Sequence, residues 1–579
     1  MILSALNDYY HRMVSDPDAS MPKPGFMASR ITHMVLLSRD GEFSRIIPLG
    51  EVTKKGVEGR KMFVPWTING ACRTSGKVAF PLWDKPKYSL GADGKKIYAE
   101  HFSKFQEHVF QLCHEIEDDG LKALSLFLRK WEPGRAIEWE FWEDVTSGNI
   151  VFCLESDQIP IHERPAFQEY WREHWTEWCR LPDQVTGQCL TTGHSVRLSK
   201  LHQPIKGVYG AQSSGASIVS FNLDAFESYG KKQSLNAPVA ENVAFSYTTA
   251  LNYLLRRENN RCLSIGDTST VFWAEKKSPE EDLLASLFDL PNAPEEEGEP
   301  GEDARTAGQV RSLLQALRDG KPIQQVLGEL APEVRFYVLG LAPNQSRLSV
   351  RFWCQASFGE LAQKVSQHYS HLSMERQYTN QPEFPALWQI LIETAAQQKR
   401  ENIPPMLSGA LSRSVLTGSR YPESLYTAVL GRIRADKQVN YIRTAIIKAC
   451  LTRNHPEKAG EITMSLNPDR KDVPYLLGRL FSLLEKTQGD ALGKIGTTIR
   501  HRYFSSASAS PSIVFPQLLK LSQHHIAKAE YGSAMDRKIQ DVLDDVHDFP
   551  SRLSLQEQGV FTIGYYHQNN ANYRKIDKE

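Results

Sequence analysis

A chain of 579 residues and 65.6 kDa with 41% hydrophobic content is long enough for several packed domains, and that composition excludes a disordered or fibrous protein. Its 68 Lys and Arg balance 68 Asp and Glu, so the net charge alone argues against a nucleic-acid partner. Between Glu280 and Asp303, however, ten acids occur with no base, so the rest of the chain carries 68 bases against 58 acids and is net basic.

The first segment, MILSALNDYYHRM, sets Ile2, Leu3, Leu6, Tyr9, Tyr10 and Met13 at helical spacing and lacks the basic and apolar regions of a signal peptide. No stretch reaches the roughly 18 apolar residues of a membrane span, so a cytoplasmic protein without a membrane partner is expected. Eight cysteines occur without a C-x-x-C pair or zinc-ligand spacing. No disulfide framework, metal site or cofactor is expected from them. The adjacent pairs Cys113-His114 and His524-His525 diverge on a helix and are not read as metal ligands.

VLLSRDGEFSRIIPL predicts a hairpin turning at Asp40-Gly41. The stretch CRTSGKVAFPLWDKPKYSLG, from Cys72, raises the question of a phosphate-binding loop. Gly70 and Gly76 are separated by five residues and Lys77 is followed by Val78, so both the spacing and the hydroxyl ligand of a Walker loop are missing. Trp131, Trp139, Trp142, Trp171, Trp175 and Trp178 follow, and a core is the favoured reading of them over a base-stacking platform. Further hairpins are predicted over Cys262–Glu275 and in FYVLGLAPNQSRLSVRFW, turning at Pro343-Asn344.

The acidic run reads as a solvated linker or insertion. After Gln355 the apolar period becomes 3.6, in SFGELAQKVSQHYSHL, ALWQILIETAAQ, ESLYTAVLGRIRAD, VNYIRTAIIKACLTRN and VPYLLGRLFSLLEKTQ. The expected class is α+β: a mixed region with antiparallel hairpins over 1–277, the acidic linker over 278–304, a hairpin closing the N-terminal region over 305–355, a helical region over 356–463 and a helical bundle over 464–579.

No catalytic constellation is present: there is no G-x-S-x-G, no H-E-x-x-H and no paired acids beside a candidate His. Two loops have the inventory of a duplex reader. Asn69, Gly70, Arg73, Thr74, Ser75 and Lys77 form one; Gly230, Lys231, Lys232, Gln233, Ser234 and Asn236, ahead of Pro238 and an apolar helix, form the other. Ordinary turn chemistry is the favoured reading of either loop taken singly. Arg432, Arg434, Lys437, Arg443, Lys448 and Arg453, opposed only by Asp436, read as non-specific phosphate contacts or as a solvated helix face.

FPLWDKPKYSLG, AFESYGKKQSLNAP, YTTALNYLLRR, IGDTSTVFWAE, FYVLGLAPNQSRLSVRFW, YPESLYTAVLGRIRADKQVNYIRTAIIKACLTRN, TIRHRYFSSASASPSIVFPQLLKLSQHH and LSLQEQGVFTIGYYHQ, in this order, resemble the large subunit of the type I-C CRISPR effector complex, Cascade. The resemblance implies a non-catalytic subunit that binds near the 5′ end of a guide crRNA, beside repeated backbone subunits and a 5′-handle-binding subunit. It also implies recognition of the protospacer-adjacent motif (PAM) in target double-stranded DNA, commonly TTC-like, together with duplex opening, R-loop formation and recruitment of a helicase-nuclease. Sequence is read by guide pairing and only the flanking motif by protein.

On this view the two loops face one duplex from two sides. Gln233 or Asn236 contacts base edges or wedges the first target pair, while Arg73, Lys77, Lys231 and Lys232 hold phosphates. The resemblance further implies a small subunit translated from an internal start. Met464 follows Ala459-Gly460-Glu461, which GCA-GGA-GAR codons encode with a ribosome-binding sequence, and a product from Met464 to Glu579 is expected. The competing classes are a nuclease or nucleotide hydrolase, and a helical scaffold or general nucleic-acid-binding subunit without motif readout.

Overall fold

The computed structural model describes residues 1–579 except 17–18, 20, 54–55, 68–77, 140–141, 147, 179–184, 289–301, 320, 322–332, 460–461, 494–495 and 575–579. The chain is α+β and divides into two units, Met1–Asn259 with Pro343–Ser349, and Asn260–Ala342 with Val350–Glu579.

In the first unit, the amphipathic pattern at the start becomes helix Ile2–Val14, which buries Ala5, Leu6, Tyr9 and Tyr10. It packs on helix Glu241–Leu254, where Tyr10 meets the ring of Phe245 edge-on, with centroids 5.8 Å apart. A four-stranded sheet runs in the order Phe43–Pro48, His33–Leu37, Ile150–Leu154, Trp83–Asp84. HMVLL and IVFCL are the two central strands, parallel to each other and buried at every residue, as expected of strands covered on both faces. The Asp40-Gly41 hairpin joins the first two strands.

The tryptophans are core residues, with Trp131, Trp142, Trp171 and Trp175 buried. Three of their indole N–H groups are satisfied by backbone carbonyls from other segments: Trp131 donates to Leu90, Trp142 to Gly94 and Trp171 to Gly25.

The second unit opens with the antiparallel strands Cys262–Ile265 and Thr268–Ala274, continued by Arg335–Asn344 and Arg347–Ser357. The last pair turns at Gln345-Ser346, not at Pro343-Asn344, because Pro343 and Asn344 still lie in the strand and Gln345 takes the left-handed conformation (φ 55°). The tip, Pro343–Ser349, belongs to the first unit, where Ser217 exchanges backbone hydrogen bonds with Ser346 and Leu348.

The acidic run is not a linker throughout. Glu280–Phe288 is a helix whose Leu283, Leu284 and Leu287 enter the core, and Glu281 is buried while accepting from the Ala274 N–H. Glu302–Arg318 is a second helix, and residues 289–301 lie outside the described ones.

Beyond Ser357 the unit is helical. Ser357 and Glu360 form a capping box for Phe358–Leu372, and Ser554 and Glu557 do the same for Leu555–Tyr573. ALWQILIETAAQ is α-helical only over Leu387–Ile392, and a 3₁₀ turn, Ala396–Gln398, follows with Gln397 and Gln398 at positive φ. Helix Val473–Leu492 lies against Leu555–Tyr573 at a spacing set by glycine. A β-carbon on Gly478 would fall 2.0 Å from the Phe561 carbonyl oxygen, and one on Gly564 would fall 2.2 Å from that of Tyr475.

Candidate nucleic-acid interface

The loop that carries Lys231 to Asn236 is built as a rigid base with a projecting tip. Ser228 and Lys231 pair across a two-residue turn, the Lys231 N–H donating to the Ser228 carbonyl at 3.0 Å. Tyr229 (φ 54°) and Gly230 (φ 69°) both take the left-handed conformation between them, which defines a type I′ turn. Gly230 fits this turn at no cost, whereas tyrosine is held there against its own preference. The Tyr229 side chain is 98% exposed. Lys231, Lys232 and Gln233 continue the exposed stretch, and while the Gln233 backbone N–H donates to Glu227 Oε1 at 3.2 Å, its side-chain amide makes no hydrogen bond among the described residues.

Asn236 has a different role from the one expected of a base-reading amide. Its Oδ1 accepts from the Ser228 N–H at 2.9 Å, and its Nδ2 donates to the carbonyls of Lys231 at 2.7 Å and Gln233 at 2.9 Å. All three bonds are made inside the loop, so the Asn236 amide, expected at base edges, is engaged with the loop's own backbone. Behind it, Ser199 N–H donates to the Val239 carbonyl and Ala240 N–H to Cys189 Sγ, anchoring the base just before helix Glu241–Leu254.

Further exposed aromatics lie on the preceding segment. Tyr209 is 48% and Phe226 38% exposed, and the Arg347 guanidinium sits 3.9 Å above the Phe226 ring. The other expected loop, with Asn69, Arg73, Thr74, Ser75 and Lys77, lies outside the described residues. Its C-terminal root is described: the buried Asp84 carboxylate accepts from Phe80 N–H at 2.8 Å and Lys85 N–H at 2.7 Å, closing the turn at Leu82 (φ 65°).

The basic run on the second unit is corrected. Arg443 is 1% exposed and bonded to Glu393 and Asp436, and Lys448 is 6% exposed and donates to the His371 carbonyl at 3.1 Å. Burial pushes the Lys448 amine down to about 8. Arg432 is paired with Asp436, Arg434 with Gln558, and Arg453 lies 4.1 Å over the Tyr421 ring. Arg443 and Lys448 face inward because an apolar stripe runs almost around helix Tyr441–Asn454: in YIRTAIIKACLTRN they fall between core residues on either side. Charge type is visible in the sequence, but the face is not.

A different basic surface is exposed on the same unit. No Asp or Glu occurs from Ala491 to Ala529. Within that stretch, helices Ile499–Ala509 and Pro511–Ile526 expose Arg502, Lys520 and His524, and Lys528 follows them. Arg502, Lys520 and Lys528 form no ion pair among the described residues, whereas Arg500 reaches Glu485 at 3.5 Å. Lys520 and His524 are one helical turn apart and share a face. The missing signal was the absence of acids over a long interval, a more specific cue than a local excess of bases.

Among the described residues, no helix is long and apolar enough to cross a membrane, and no group of three or more His, Cys, Asp and Glu is placed to hold a metal ion. The comparison with curated proteins finds no match. The family model described as CRISPR-associated protein (Cas_Csd1) matches residues 6–573, nearly the whole chain, and the protein therefore belongs to that family.

Proposed function

We propose that the protein is the non-catalytic large subunit of a type I-C CRISPR RNA-guided complex, Cascade, and that it recognises the PAM in double-stranded target DNA. Family membership supports a role in CRISPR defence, and the observation that carries the finer reading is the Ser228–Asn236 loop. Its tip offers an aromatic ring, two ammonium groups and an unengaged amide on a base already locked by Asn236. Preorganisation of this kind lets binding energy go into the contact and not into ordering the loop.

In this reading Lys231 and Lys232 hold phosphates, Gln233 reaches base edges, and Tyr229 stacks on the first opened base step, with Asn69, Arg73, Thr74, Ser75 and Lys77 approaching the same duplex. Arg502, Lys520 and Lys528 hold backbone phosphates without reading sequence. Partners are a guide crRNA, backbone and 5′-handle-binding subunits, small subunits and a helicase-nuclease recruited after R-loop formation, and the protein works in the cytoplasm. The test is binding of the reconstituted complex to targets with randomised flanking trinucleotides. Metal-dependent cleavage by the purified protein would overturn the non-catalytic assignment.

A further inference from the structure

A cavity of about 550 Å³ opens within the first unit, and three kinds of chemistry meet in its walls. The apolar part includes Phe80 and Trp83, whose rings stack with centroids 4.5 Å apart at 17°. Trp83 is fixed by its Nε1–H, which donates to the Pro65 carbonyl at 2.8 Å.

The polar part holds three side-chain amides, of which Asn252 is engaged with the chain, accepting from Lys206 N–H and donating to the Pro204 carbonyl. Asn149 spends Nδ2 on Ser29 Oγ and the Arg30 carbonyl, so its Oδ1 acceptor has no partner among the described residues. Gln203 accepts from Thr248 through Oε1, so its Nε2 donor is likewise unengaged. One acceptor and one donor thus line the same space as the aromatic pair.

The third part is cationic, comprising Lys206 and Arg256. Lys206 is exposed and carries no ion pair among the described residues. Arg256 Nη1 is buried and has no hydrogen-bond partner among the described residues. Its guanidinium lies 5.9 Å from the Tyr253 ring centroid, and the neighbouring Glu258 is bonded to Lys61 at 2.8 Å. Burial lowers the guanidinium below its usual pKa, and the charge of Glu258, shared with Lys61, opposes that shift only in part. A buried N–H donor left without an acceptor is unfavourable, and a phosphate oxygen supplies that acceptor in a charge-assisted hydrogen bond.

Flat rings, one donor with one acceptor, and two cations are together what a nucleotide requires: a surface for the base, partners for its edge and countercharge for its phosphate. The volume lies within the ~300–1,000 Å³ typical of small-ligand pockets, enough for one nucleotide and too small for a base-paired segment. We infer that this cavity takes a single unpaired nucleotide of a nucleic-acid strand, with its base beside Phe80 and Trp83 and its phosphate on Arg256 and Lys206. The site concerns a single strand and residues other than the Ser228–Asn236 loop, so it stands or falls separately from the duplex reading.

The test is fluorescence titration of the full-length protein with single-stranded DNA and RNA oligonucleotides of about 12 nucleotides, each with one central 2-aminopurine. Quenching at saturation is expected, and whichever of the two strands quenches more tightly identifies the source. Arg256→Gln and Gln203→Glu should each weaken binding about five-fold or more with an unchanged thermal midpoint, while Lys231→Ala/Lys232→Ala leaves the quench intact. If Arg256→Gln folds poorly, Gln203→Glu carries the test, since it retains the Oε1 acceptor for Thr248. Unchanged emission with both oligonucleotides, or equal affinity in wild type and Gln203→Glu, would overturn the inference.

Discussion

Asn236 Nδ2 donates to the Lys231 carbonyl at 2.7 Å, and this bond ties the 3₁₀ turn behind the loop to the type I′ turn at its tip. The consequence is a separation of roles within one short segment. Tyr229, Lys231, Lys232 and Gln233 are free to touch a partner, and Asn236 decides where they stand.

Asn236→Ala removes three hydrogen bonds, each worth ~1 kcal/mol, enough to release the tip without unfolding the unit. Tryptic cleavage after Lys231 and Lys232 should therefore accelerate several-fold, with little change in melting temperature. Asn236→Asp keeps the acceptor for Ser228 N–H but loses both donors, and should fall between the two. Tyr229→Ala should leave proteolysis unchanged while weakening duplex binding.

The buried cations should behave as structural residues. Arg443→Ala strands the buried Glu393, while Asp436 keeps Arg432, and breaking a buried pair of this kind costs about 3–5 kcal/mol, read as a large drop in the denaturant midpoint. An Arg502→Ala/Lys520→Ala/Lys528→Ala variant should retain wild-type stability and bind DNA less tightly. Its log affinity should also depend less steeply on log salt, by about one unit of slope for each phosphate that is no longer held.

Gly478→Ala and Gly564→Ala should each destabilise the second unit. The added carbon would meet backbone carbonyls of Phe561 and Tyr475, which have no rotamer through which to yield, so the helix pair must separate. Chemical denaturation should show a loss of roughly 1–3 kcal/mol or more, as for other overpacked sites. Gly431→Ala, with open space at its β-carbon, is the control and should be neutral or slightly stabilising.

Acid should weaken the fold before the carboxylates titrate. Burial holds His202 and His567 down at about 4, and each is bonded to a tyrosine hydroxyl, Tyr247 and Tyr475 respectively. Unfolded histidines take up protons near pH 6.5 and the folded ones do not, so the unfolded state gains protons as pH falls. The stabilisation is complete above about pH 6.5 and is lost progressively towards pH 4. Melting temperature should already decline between about pH 6.5 and 5, and His202→Gln/His567→Gln should flatten that decline.

Much of the architecture was legible because burial follows local pattern: the helical face of Ile2–Val14, the Asp40-Gly41 turn and the helices after Ser357 are written in apolar spacing. What local pattern does not carry is the identity of the partner across an interface. Arg443 and Lys448 have the composition of a surface run and the environment of a core, because Glu393 and the carbonyl of His371 come from distant segments. The acidic helix Glu280–Phe288 escapes a linear reading for the same reason: its leucines find a core that its glutamates hide in the composition. Within the Ser228–Asn236 loop the residue types mark a basic turn, but the engagement of the Asn236 side chain inside that turn depends on hydrogen bonds that only coordinates reveal.

The expected internal start bears on the last helices. Met464 lies in irregular chain ahead of Val473–Leu492, and the helices that follow pack mainly on one another. A separate product from Met464 would lack Tyr426 and Ile447, which press against Gly559, and would expose that face of Leu555–Tyr573. Changing the Met464 codon to Leu should abolish a shorter product detected with a C-terminal tag, while full-length protein persists.

The most direct measurement is binding of the reconstituted complex with guide crRNA to targets carrying randomised flanking trinucleotides, comparing wild type with Tyr229→Ala/Gln233→Ala. A sharp trinucleotide preference in the wild type, flattened in the variant at unchanged complex assembly, is the predicted result. A wild type with no flanking preference would contradict the account and leave a scaffold in its place.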